Sequence, residues 1–149
     1  MLGRLARPLV VAVSLLLLVG GCFGRKSSGI FPVRGTVIVD GQPAQYARVS
    51  LTPVDKNDGR SPSGGTVDED GEFRLTTLKQ FDGAEPGEYW VSISWCKPID
   101  PNRSEVEYGP ELLPKKYQNP AESGVKELRV TIEEGDNELP PFEISTKNK

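Results

Sequence analysis

Three groups of residues in this sequence could carry chemistry by type and spacing. The first is Val19-Gly20-Gly21-Cys22, a cysteine behind two glycines at the end of an apolar run. Glycines let another chain approach the backbone closely, and the Cys22 thiol is a soft nucleophile. The second is Asp68-Glu69-Asp70-Gly71-Glu72, alternating acids around a glycine, as in the opening of a calcium loop. Such a loop needs a bidentate glutamate at its twelfth position. Lys79 stands there, so a plain hairpin turn accounts for these acids. The third is Trp90, with Ser92 and Ser94 at alternate positions after it. Facing out, Trp90 would be an aromatic platform for a sugar or peptide, with Trp95 as a second ring; core or loop packing is the competing role. Cys96 is the other thiol, a reactive thiol or an intermolecular bridge on one reading and, as is more common for a lone cysteine at a strand end, simply packed on the other.

Absences narrow the field. The chain has no histidine, which removes Ser-His-Asp and Cys-His nucleophile systems and His-based zinc, copper and iron sites. No metal site, cofactor or catalytic residue is assigned. The formal net charge is −3 and no long run of like charge occurs, so no nucleic-acid partner is expected.

The N-terminal segment places Arg4 and Arg7, with no acid, before an apolar run from Leu9 to Val19 that only Ser14 interrupts. A membrane-spanning helix needs about 20 apolar residues, and this run stops well short of that at two glycines. The layout is that of a secretory signal. Val19-Gly20-Gly21-Cys22 resembles the lipobox of bacterial lipoproteins, with Gly20 where Ala or Ser is more usual. That resemblance implies a diacylglycerol thioether on Cys22, cleavage before it, and incorporation of palmitate. Residues 1–21 are then the lipoprotein signal peptide and residues 22–31 a lipidated tether. "GRKSSG" within it is polar and flexible; Arg25 and Lys26 either meet lipid phosphates or are simply solvated. The location implied is extracytoplasmic, on a bacterial membrane held through Cys22. Phe23 is not the aspartate that retains many enterobacterial lipoproteins at the inner membrane, and neither inner nor outer membrane is assigned. With Cys22 lipidated, Cys96 has no cysteine to pair with inside the chain.

The elements that position Trp90 and the acidic turn are strands. Gly and Pro number 16 and 13 of 149 residues, which marks many turns. Val33, Gly35, Val37 and Val39 alternate with Arg34, Thr36 and Ile38, and Ala47, Val49 and Leu51 alternate with Arg48, Ser50 and Thr52. Asp40-Gly41 is a turn signal. A hairpin is expected from Thr66–Asp68 to Phe73 and Leu75, with Glu69–Gly71 as its turn. In "EYWVSISWCKP", Tyr89, Val91, Ile93 and Trp95 point inward, and Trp90, Ser92, Ser94 and Cys96 share the other face. Residues 97–124 form an insertion whose five prolines bar a continuous helix or strand. One helical turn is expected in Glu111–Tyr117, with Leu112, Leu113 and Tyr117 as anchors. Arg103, Lys115, Lys116 and Lys126 against Glu105, Glu107 and Glu111 read as solvated surface charge. Two last strands follow, with Leu128, Val130 and Ile132 inward on the first, a turn at Glu134–Asn137, and Phe142 and Ile144 inward on the second. About seven short strands separated by turn signals predict an all-β sandwich of immunoglobulin-like type.

Gly35-x-Val37, Asp40-Gly41-x-Pro43, Ala47-x-Val49, Asp68-x-Asp70-Gly71-x-Phe73-x-Leu75 and Pro86-Gly87-x-Tyr89-x-Val91 occur in that order. Together they resemble the carboxypeptidase regulatory-like domain, over nearly all of Pro32 to Ser145. With the lipobox, the chain is similar to small lipoproteins of planctomycete-type bacteria. The resemblance implies a transthyretin-like (prealbumin-like) sandwich of about seven strands across residues 32–146. Tyr46 departs from it, standing where the family usually has glycine, which bears on the local turn. The resemblance also implies a mostly non-catalytic accessory. The hydroxyisourate hydrolases of this fold use histidines and a C-terminal Tyr-Arg-Gly-Ser, and related intradiol dioxygenases bind iron through two Tyr and two His; this chain has no histidine and ends "STKNK". The function expected is a membrane-anchored, non-catalytic envelope lipoprotein whose sandwich binds an envelope protein or glycan. The alternative is a carbohydrate- or small-ligand-binding accessory subunit, with Trp90 as the contact residue. A concave pocket containing Trp90 would favour the alternative.

Overall fold

The computed structural model describes residues 29–57 and 59–147. Val19, Gly20, Gly21 and Cys22, with the tether as far as residue 28, lie outside the described residues. The rest folds as two β-sheets packed face to face. In the first, β1 (Val33–Val39) pairs antiparallel with β2 (Gln42–Pro43) and β5 (Glu72–Arg74), and parallel with β8 (Asn137–Glu138) and β9 (Phe142–Ile144). In the second, the order is β4 (Ser63–Thr66), β3 (Arg48–Pro53), β6 (Gly87–Ser94), β7 (Arg129–Ile132), all antiparallel. Two of these nine strands, β2 and β8, are two residues long, which leaves seven longer ones, the number that the turn spacing predicts, although β4 lies at Ser63–Thr66 rather than at Thr66–Asp68.

Period-two alternation decides what lies between the sheets. Val33, Val37 and Val39 of β1, Val49 and Leu51 of β3, and Tyr89, Val91 and Ile93 of β6 are all buried. Gly35 sits at the inward position between Val33 and Val37, and its missing side chain has a use. A Cβ there would lie 2.7 Å from the Phe73 ring. Phe73 fills that space and stacks against Phe142 at 6.2 Å between centroids. Asp40 and Gly41 both adopt positive φ, at 49° and 82°, which is the mirror-image turn that matches strand twist in a two-residue hairpin.

Two pairings differ from expectation. Thr66–Asp68 and Phe73–Leu75 flank a tight turn, closed by Asp68 N–H to Glu72 O at 2.9 Å. Beyond it the arms splay, β4 joining β3 and β5 joining β1. The last two strands do not form a hairpin either. β7 is the edge of the second sheet, while β8 and β9 cross to the first and run parallel to β1. Pro140-Pro141 separates β8 from β9, because proline has no N–H to donate to a ladder.

The sandwich has two distinct ends. At the near end the chain enters β1, and Phe31 exchanges N–H···O bonds of 2.9 and 3.0 Å with Ala84. At the far end β6 gives way to Trp95 and the 97–124 insertion. The eight residues of β6 separate the two ends by about 25 Å at ~3.3 Å per residue.

Candidate functional site

Trp90 lies on the outer face of the second sheet, as the alternation predicts, and is half-buried. Its register partners are Thr52 on β3 and Arg129 on β7. The Arg129 guanidinium sits 5.6 Å from the Trp90 ring centre and holds Glu88 at 3.0 Å. The insertion returns over this face as a 3₁₀ turn (Lys115–Tyr117) and α1 (Pro120–Ser123). Between it and the sheet is an open concavity of about 310 Å³, lined by Trp90, Ser92, Thr52, Lys56, Gln118, Asn119 and Glu122 among others. One aromatic wall facing amide, hydroxyl and charged groups suits a polar ligand such as a sugar. Ser94 belongs to a different recess, beside Arg48 and Thr66. Trp95 is no platform: it is 8% exposed, and its indole N–H donates to Gln45 O at 2.8 Å.

A larger groove, about 770 Å³, runs between the free edges of β7 and β9. Its walls include Tyr117, Val125, Leu128, Val130, Phe142 and Ile144, with Pro140 and Pro141 at the side. The sequence gives little warning of it, because it exists only where the margins of two sheets face each other. The proline pair that moves β9 out of line with β8 is the one local signal.

At the far end the insertion forms an arm. Ile99 N–H donates to Glu107 O at 2.8 Å and Gly109 N–H to Lys97 O at 2.9 Å. Pro98 and Tyr108 face each other as a bridge. Pro98 thus sits where no donor is required, and the pairing survives it. Ile99, Val106 and Tyr108 are exposed on this arm. Leu112, expected as an anchor, is 40% exposed; Leu113 and the half-buried Tyr117 do the anchoring.

Glu111 is not the solvated charge that its neighbours suggest. One carboxylate oxygen accepts the backbone N–H of Trp95 at 2.8 Å and of Leu113 at 2.9 Å. It thereby clamps the end of the arm to its start. The Cys96 thiol lies 3.7 Å from the other oxygen. Burial, then the negative charge of Glu111, pushes the Cys96 thiol above its ordinary value, with Arg48 pulling weakly the other way. Cys96 is therefore held as the neutral, poorly nucleophilic thiol. In the acidic turn, one Asp68 oxygen accepts the N–H groups of Asp70 and Glu72 at 3.0 and 2.9 Å, so it is engaged by its own turn. Among the described residues no group of three or more His, Cys, Asp or Glu side chains could hold a metal ion.

No family model matches the chain, and no curated protein matches it. Among solved structures it is similar to a DUF3823 family protein from Parabacteroides merdae, at 17% identity and a TM-score of 0.38, over 76% of this chain and 45% of that one. It is also similar to a 9R-lipoxygenase from Cyanothece, at 10% identity and a TM-score of 0.39, over 76% of this chain and 16% of that one. The chain thus spans less than half the length of either.

Proposed function

We propose that this chain is a membrane-anchored, non-catalytic lipoprotein of the bacterial envelope, of carboxypeptidase regulatory-like type, whose sandwich binds an envelope protein. Lipidation at Cys22 holds it to the membrane. The observation that carries the binding role is the polarity of the domain. The chain arrives at the near end, and the arm with exposed Ile99, Val106 and Tyr108 leaves from the far end. An anchored domain so built offers its apolar arm away from the bilayer. A photo-crosslinking residue at Tyr108, introduced in cells and followed by mass spectrometry, yields one dominant protein adduct. The same residue at Thr131, on the outer face of the second sheet, yields none. Equal adduct patterns at the two positions sink the binding role, and palmitate labelling that survives Cys22→Ser sinks the anchoring role.

The concavity beside Trp90 favours a second reading, a carbohydrate- or small-ligand-binding accessory. On this reading Trp90→Ala abolishes retention on isolated envelope glycan while leaving the fold intact, and undiminished retention excludes it.

A further inference from the structure

The loop between Leu75 and Ala84 displays large apolar side chains on a rigid frame. Leu78 is 77% exposed and Phe81 52% exposed. Most of the loop backbone is tied down. The Asp82 carboxylate accepts the N–H groups of Thr77, Leu78 and Lys79 at 2.7, 3.0 and 2.7 Å. Phe81 N–H donates to the Thr76 hydroxyl at 3.0 Å, and the Thr77 hydroxyl donates to Gly83 O at 2.6 Å. Phe81 itself adopts φ 61°, a conformation unfavourable for a bulky residue. Glycine or asparagine would fit that backbone at lower cost; the Arg74 guanidinium lies 5.9 Å from the ring centre, yet the ring stays half exposed, so that contact alone does not account for it.

The reason lies in where the loop sits. Its return leg is joined to the incoming chain by the Phe31–Ala84 pair of hydrogen bonds. Gly83 is pressed so close that a Cβ would fall 1.7 Å from Phe31 O. From Phe31 back to Cys22 is nine residues, which reach about 30 Å at most. On the anchored reading proposed above, on which this inference rests, that end of the sandwich cannot leave the vicinity of the bilayer.

We infer that Leu78 and Phe81 form a second membrane contact, inserted into the interfacial region of the same bilayer that holds the lipid on Cys22. The contact is apolar rather than ionic. Arg74 and Lys79 lie on or beside the loop, but the turn after β7 brings Glu134 and Asp136 to the same end. Two points of attachment fix orientation where the Cys22 lipid alone does not.

The test adds one fluorophore at each end. Leu78→Trp and, on the far-end turn, Glu69→Trp are made separately in the lipidated protein. Each is reconstituted into phosphatidylcholine vesicles whose acyl chains are brominated near the headgroup. Trp90 and Trp95 supply a constant background. The emission added by Leu78→Trp is quenched by roughly half or more, since interfacial side chains sit about 5–10 Å deep; that added by Glu69→Trp is not. Unquenched emission at both positions overturns the inference. Anchoring is scored separately, by palmitate labelling and its loss in Cys22→Ser. If labelling fails, residues 22–149 carrying Cys96→Ala are coupled through Cys22 to a maleimide lipid, and the same comparison decides the loop.

Discussion

Glu111 offers the sharpest test of how the insertion is held to the sandwich. Glu111→Ala removes one oxygen and strands two donors, the N–H groups of Trp95 and Leu113. Both residues are buried, at 8% and 5% exposure. An unsatisfied buried donor costs about 1–3 kcal/mol. Glu111 is itself half-buried, so water partly replaces it, and the expected total is about 2–3 kcal/mol. For a domain of this size that is a fall in Tm of about 10 °C. Glu111→Gln keeps a carbonyl oxygen in the same place and loses only the charge, so it costs about 1 kcal/mol or less. Urea denaturation of the unlipidated domain at pH 7 measures both. A second reading comes from Cys96. The Glu111 charge helps to hold its thiol above the ordinary value, after burial. Glu111→Gln therefore speeds alkylation of Cys96 at pH 8 several-fold while the fold persists. If the alanine variant is no less stable than the glutamine variant, Glu111 is not the clamp. If alkylation is unchanged in the glutamine variant, the charge does not act on the thiol.

Gly83→Ala places a Cβ against Phe31 O at a backbone φ of 99°; a cost of about 3 kcal/mol or more is expected, seen as a lowered Tm and early amide exchange at Ala84. Tyr46 holds φ 72°, so Tyr46→Gly relieves strain and raises stability by up to about 1 kcal/mol after glycine's own entropy is counted; a lowered Tm would contradict this. Burial opposes ionisation of Asp82, but the N–H groups of Thr77, Lys79 and Leu78 more than offset it and hold the carboxyl below 3.8. A carboxyl depressed by folding contributes stability above its unfolded value and loses it as pH falls through the folded one. The amide resonances of Thr77, Leu78 and Lys79 accordingly titrate with a midpoint below 3.8; a midpoint at or above it refutes the assignment.

Inward and outward faces were legible in the sequence because alternation is a local property of each strand. Which sheet a strand joins was not. Both sheets bury their inner faces in one shared core, so Val67, Phe73 and Leu75 read the same whether their arms pair together or part. Where they part, Gly64 and Gly65 still let β4 lie close to the other arm. There Gly64 and Thr76 exchange hydrogen bonds of 3.0 and 2.8 Å, and a Cβ on Gly65 would lie 2.4 Å from Arg74 O. The irregularity at Tyr46 was legible for the opposite reason. Glycine is expected where φ must be positive, and the structure gives Tyr46 that φ.

The candidate surfaces follow the same division. Trp90 could be placed on an outer face from strand period alone, but its concavity is closed by Gln118, Asn119 and Glu122, residues 28 to 32 positions away. Glu111 looked like one more surface acid because its partners are backbone N–H groups, which have no sequence signature. The loop at Leu78 and Phe81 has no alternating pattern and reads in sequence only as a connection between strands. Its meaning depends on Phe31 lying against Ala84, fifty-three residues along the chain. Length of tether, place of attachment and exposed apolar side chains each say little alone. Taken together, on the anchored reading proposed above, they would set the orientation of this fold on the membrane, with Leu78 and Phe81 toward the bilayer and Ile99, Val106 and Tyr108 away from it.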